Sequence, residues 1–237
     1  MRSIAAQSPA ELGGNWSILV RQRRDHAILE RLLDQLATES TSDREFVVHQ
    51  VCRLVFTHAF AEEAVLWPAL RRVAAEGEAL TARVEQEHQR ITELVSRLDS
   101  SNPGDPERDL LLEQTIALLR QDVRDEEDEL LPRLQTALTP RQLRRLGMLW
   151  EMVRRTAPTR AHPVVARRPP GNVLAAVPLS LIDRSRDALD RLAGATGPQA
   201  GARLRGTSRA LGSLSSAVER IPPMRRETQA NSSEDER

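Results

Sequence analysis

His58 and Glu62 stand four residues apart, so on a helix both side chains leave one face and can reach one metal ion or two adjacent ones. The run around them, His58-Ala-Phe-Ala-Glu62-Glu63 followed by Leu66, Pro68 and Leu70, returns 64 residues later. There it reads Asp122-Val-Arg-Asp-Glu126-Glu127, followed by Leu130, Pro132 and Leu134. Upstream of each copy one histidine precedes an apolar stripe. His26 leads Leu29, Leu32, Leu33 and Leu36, and 62 residues on His88 leads Ile91, Leu94, Val95 and Leu98. Imidazole and carboxylate together suit iron, manganese or zinc, and a carboxylate can bridge two ions. Taken singly, each of these residues reads as an ordinary surface or satisfied core side chain. Taken together, four helices project polar groups from apolar stripes at corresponding places, and a shared metal would satisfy them. The candidate ligands are His26, His58, Glu62, His88, Asp122 and Glu126. Glu63 should point more to the side, His49 falls on the opposite side of its helix, and His162 lies in a proline-rich stretch where solvation is the default.

The elements that must carry these residues follow from the apolar period. A first helix is expected over about residues 15–38 and a second from Ser42 or Asp43 onward, kinked at Pro68. A third should run from Thr81 to about Leu98. Residues 100–106, Ser-Ser-Asn-Pro-Gly-Asp-Pro, form the clearest loop between the two repeated halves. A fourth helix carries Leu110 to Leu131, and Thr139-Pro140-Arg141-Gln142 resembles the capped start of a short fifth. The fold class expected is all-α: an up-down-up-down four-helix bundle with a short fifth helix and a Pro/Gly-rich, partly disordered C-terminal extension. In domain terms residues 1–14 read as flexible, 15–156 as the bundle, 157–178 as a linker, 179–221 as short helices and 222–237 as a disordered tail.

Composition narrows the function classes. The formal net charge is zero, and all 34 basic residues are arginine. Residues 1–157 hold 21 arginines against 26 acids, a balance of −5, while residues 158–237 hold 13 against 8, a balance of +5. The basic end has interleaved acids and no aromatic platform, which argues against nucleic acid. Cys52, the one cysteine, allows no intrachain disulfide. No apolar run approaches the ~20 residues of a membrane span, and the N-terminus lacks a signal-like apolar core. A soluble cytoplasmic protein is the expectation. No nucleophile–base pair, phosphate loop or cofactor fingerprint appears, so any chemistry should run through a metal.

Asp25-His26, His58 to Glu63 with its later proline, Glu87-His88, and Glu126-Glu127 with its later Leu-Leu-Pro resemble the hemerythrin-like, HHE cation-binding family, over about residues 17–137. The resemblance implies a non-haem di-iron centre in a four-helix bundle, with His26, His58, Glu62, His88 and Glu126 as ligands. Asp122 stands where that family usually has a histidine. It implies iron as cofactor and diatomic or peroxide ligands as partners. Three readings stay open: a protein that binds or senses oxygen, nitric oxide or iron; a di-iron oxidoreductase acting on peroxide or ferrous iron; or a metal-free helical protein that meets a protein partner through its C-terminal helices.

Overall fold

The computed structural model describes residues 1–38, 41–101 and 105–225, and its described residues form an all-α helical bundle. Helix α1 spans Ile18–Thr38. Helix α2 is composite: Thr41–Ala61, one π-helical turn Glu62–Leu66, then Trp67–Val73. Helix α3 spans Gly77–Ser100. Helix α4 repeats the design of α2, with Pro106–Asp125, a π turn Glu126–Leu130 and Leu131–Ala137. Helix α5 spans Pro140–Thr156, α6 Gly171–Ala195 and α7 Pro198–Glu219.

Local chemistry accounts for the starts. Asp105 accepts from the Glu107 N–H at 3.0 Å with Pro106 in the first turn of α4. Thr139 and Gln142 form a reciprocal capping box ahead of α5. At the expected kink each helix passes through a π turn. Pro68 and Pro132 have no N–H for the carbonyl four residues back. Just ahead of each, the N–H of Trp67 bonds the Glu62 carbonyl, and that of Leu131 the Glu126 carbonyl, closing an i→i+5 turn.

The apolar stripes bury into two layers. One holds Ile4, Leu12, Ile18, Leu19, Leu66, Trp67, Val84, Leu130 and Trp150. The other holds Leu29, Leu33, Val51, Val55, Ile91, Val95 and Leu119. On each of α1 to α4 the candidate ligands fall in sequence between residues of these two layers, so the polar level lies inside the bundle. Helix α5 packs on α1 and α2. Gly147 makes this approach, because a Cβ there would stand 2.2 Å from the Trp16 carbonyl oxygen.

Beyond the bundle, α6 and α7 pack along each other. Val165, Ala175 and Leu179 form a small third core. Residues 171–178, inside the stretch read as linker, are the first turns of α6, with Pro178 within the helix. Ile4 and Leu12, in the segment read as flexible, are fully buried. Two isolated apolar residues carry no period, which is why the sequence reading passed over them. Most of the C-terminal end expected to be disordered, 226–237, lies outside the described residues, as do 102–104 of the expected loop. Among the described residues no helix is long and apolar enough to cross a membrane.

Candidate metal centre

Six buried side chains meet at the polar level: His26 from α1, His58 and Glu62 from α2, His88 from α3, and Asp122 and Glu126 from α4. One ligand atom from each of His26, His58, Glu62 and Glu126 falls within 4.8 Å of the others. His88, Asp122 and Glu126 form a second such group, so Glu126 belongs to both. His26 Nε2 lies 3.2 Å from Glu126 Oε2 and 3.3 Å from His58 Nε2. His58 Nε2 lies 3.0 Å from Glu62 Oε1. His88 Nε2 stands 3.7 Å from each of Glu62 Oε2, Asp122 Oδ2 and Glu126 Oε1. Each glutamate therefore turns one oxygen to each half of the repeat.

The outward nitrogens are held as well. His26 Nδ1 bonds Glu127 Oε1 at 2.8 Å and His88 Nδ1 bonds Glu63 Oε1 at 3.0 Å, so the two halves mirror each other. His58 Nδ1 bonds Asp25 Oδ2 at 3.3 Å. A carboxylate on Nδ1 fixes the tautomer that leaves Nε2 free to ligate. By the repeat offset, the counterpart of the His58–Asp25 pair is Asp122–Glu87, two acids. Asp122 Oδ1 and Glu87 Oε2 are buried without a hydrogen-bond partner. Glu63 is thus not turned aside, as its spacing on an ideal helix suggests: within the π turn both Glu62 and Glu63 are buried. The repeated acid–His and Glu-Glu pairs were the signal for these outer acids.

The charge balance is that of a site short of cations. Burial pushes the His26 imidazole toward neutrality, but hydrogen bonds to Glu126 and Glu127 outweigh it and raise its pKa to about 9. His58 and His88 are likewise raised well above 6.5, burial opposing and their acid neighbours prevailing. Burial raises the Glu62 and Asp122 carboxyls, aided by Glu126. Burial also works against the Glu126 carboxylate, yet the His26 and His88 imidazoles beside it prevail and lower it. Both Glu62 oxygens, Asp122 Oδ1 and Glu126 Oε1 are buried without a hydrogen-bond partner. Orphaned carboxylate oxygens facing three Nε2 nitrogens are what a hard or borderline divalent cation requires. The residues fit such an ion.

Segments outside the repeat complete the surroundings. A cavity of about 80 Å³ beside the polar level is lined by His26, His58, His88 and Asp122 on one side and by Val165, Ala166 and Leu179 on the other. Arg154 of α5 lies 3.5 Å from Asp25 Oδ2, and Trp150 meets the His58 ring edge-on, centroids 5.5 Å apart. Arg167 reaches Glu63 Oε1 at 3.1 Å. No period or motif marks these arginines in the sequence. His162 departs from the solvated default: its side chain is 8% exposed, with Nε2 3.0 Å from Asp183 Oδ2 and Nδ1 2.8 Å from Glu219 Oε1. His49 is exposed, as its position on the helix predicts.

Comparison with known proteins agrees with this geometry. An uncharacterized hemerythrin-like protein of Schizosaccharomyces pombe is 23% identical over 135 residues, 56% of this chain and 66% of the relative, so just under two thirds of that protein is spanned. No solved structure gives a significant match. The family model described as the Hemerythrin HHE cation binding domain matches residues 17–134, which carry all six convergent side chains. Through that domain, the chain belongs to the hemerythrin HHE cation-binding family.

Proposed function

We propose that this chain holds a pair of non-haem iron ions and uses them to bind or sense oxygen, nitric oxide or iron. The observation that carries the reading is the way Glu62 and Glu126 each face both halves of the repeat. In this reading His26 and His58 would hold one ion and His88 and Asp122 the other, with Glu62 and Glu126 available to both, as in the carboxylate-rich sites of helical bundles. Bound iron supplies redox chemistry toward small ligands. The chain's own residues fix the three Nε2 lone pairs through Glu127, Asp25 and Glu63, keep bulk water out with the apolar layers, and leave a cavity the size of a few small molecules.

Asp122 favours a second reading, an oxidoreductase acting on peroxide or ferrous iron. An anion in place of a neutral imidazole stabilises the ferric state, which disfavours reversible oxygen carriage. The test is to purify the full chain from iron-supplemented cells, count metals by elemental analysis, and compare a His58→Ala, Glu62→Ala variant whose helicity is checked by circular dichroism. Two irons per wild-type chain, lost in the variant, are expected. A folded wild type without iron would refute both readings and leave the metal-free one. Spectral change with oxygen but no turnover then speaks for the first reading, and peroxide turnover for the second.

A further inference from the structure

The segment 163–168 crosses α3 and touches it repeatedly. Gln89 Nε2 donates to the Pro163 carbonyl at 3.3 Å, and Arg168 pairs with Glu85 at 2.8 Å and Glu78 at 2.5 Å. Those two pairs already tether the segment. Arg167 does something different. Its side chain is 18% exposed, and it spends its donors inward: Nη1 on Glu63 Oε1 at 3.1 Å, Nη2 on the His88 carbonyl at 3.2 Å and on Thr92 Oγ1 at 2.7 Å, and Nε on Gln89 Oε1 at 3.2 Å. Desolvating a guanidinium is costly unless its fork is satisfied, and here four acceptors satisfy it. The one carboxylate among them is the acid that holds His88.

Glu63 Oε1 accepts from both Arg167 Nη1 and His88 Nδ1, so the two donors share one oxygen. A cation on that oxygen draws off electron density and weakens its pull on the His88 N–H, which leaves the imidazole a less basic donor through Nε2. His88 Nε2 also faces Asp122 at 3.7 Å, the anion that replaces a neutral imidazole in this half. Among the described residues no arginine pairs with Glu127, the corresponding acid of the other half.

We infer that Arg167, contributed by the C-terminal extension, is a positioning residue that acts through Glu63 on His88 and raises the reduction potential of the metal held there, offsetting Asp122. This rests on the metal reading above. The extension, outside the family-matched residues, is then part of the centre's outer environment as well as a cover for its cavity.

The experiment uses the full chain loaded with iron and follows reduction spectroelectrochemically in wild type, Arg167→Met, Arg167→Lys, Glu63→Gln and the Glu63→Gln, Arg167→Met pair, each with its metal count and helicity recorded. Expected are a lower potential in Arg167→Met at unchanged metal count, partial recovery in Arg167→Lys, and a smaller effect of Arg167→Met in the Glu63→Gln background, since coupled residues are not additive. An Arg167→Met potential equal to wild type at equal loading overturns the inference. So does an effect of the same size in both backgrounds, because Arg167 would then not act through Glu63. If Arg167→Met fails to load but Arg167→Lys loads at an intermediate potential, the positioning role stands. If neither loads, the fork holds the metal and does not tune it, and the inference falls. A wild type that takes up no iron fails the metal reading itself, and the metal count separates that failure from the others.

Discussion

At the scale of single residues the ligand set of the centre has one asymmetry, Asp122 where His58 stands in the other half. The proposed ion on that side meets one more negative charge, and restoring the neutral ligand in Asp122→His should raise the reduction potential of the iron-loaded chain. Spectroelectrochemistry checks it, and an unchanged or lower potential would count against the role given to Asp122. A second consequence concerns protons. In the metal-free chain His26 keeps its proton up to about pH 9, and His58 and His88 are raised as well. A cation can bind Nε2 only after displacing those protons. Metal uptake should therefore release protons at neutral pH, and apparent affinity should climb as pH rises from neutral toward about 9, where His26 gives up its proton. Calorimetry in buffers of different ionisation enthalpy measures the release; uptake without it would contradict the site described.

At the scale of elements, the helices were legible because apolar residues recur with the helical period and because Thr139 and Pro140 mark a start. The six convergent side chains were legible for the same reason: a repeat at 62 to 64 residues places them at one level of the bundle. Two things were not. The π turns ahead of Pro68 and Pro132 leave no sign in an ideal 3.6-residue period, so the burial of Glu63 was missed. The contacts of residues 163–168 were missed because a segment without period discloses neither its path nor what its arginines meet. Helix α5 depends on a further detail, the bare backbone at Gly147. Gly147→Ala would press a methyl into the backbone at 16–18. It should cost about 1–3 kcal/mol, typical of overpacking, read as a lower urea midpoint at unchanged slope. A midpoint equal to wild type would mean α5 can shift freely away from α1.

At the scale of the whole molecule, the bundle and the extension meet over the cavity, and the extension is itself held by His162 between α6 and α7. Burial works against the His162 charge, but Asp183 and Glu219 prevail and lift its pKa from 6.5 to about 9. A raised folded-state pKa contributes stability that is fully present below about pH 6.5 and is lost as pH rises through about 9. Limited trypsin digestion should therefore cut the 157–225 segment faster at pH 9.5 than at pH 6.5, after correction for the protease's own rate on an unfolded substrate. His162→Ala should be cut fast at both. Equal protection of wild type at the two pH values would remove His162 as the fastener. The two π turns carry a last consequence, a historical one. Each amounts to a helix with one residue too many, and both sit at the same place, 64 residues apart, directly ahead of a proline. A single insertion in an ancestral two-helix unit, followed by duplication of that unit, accounts for both.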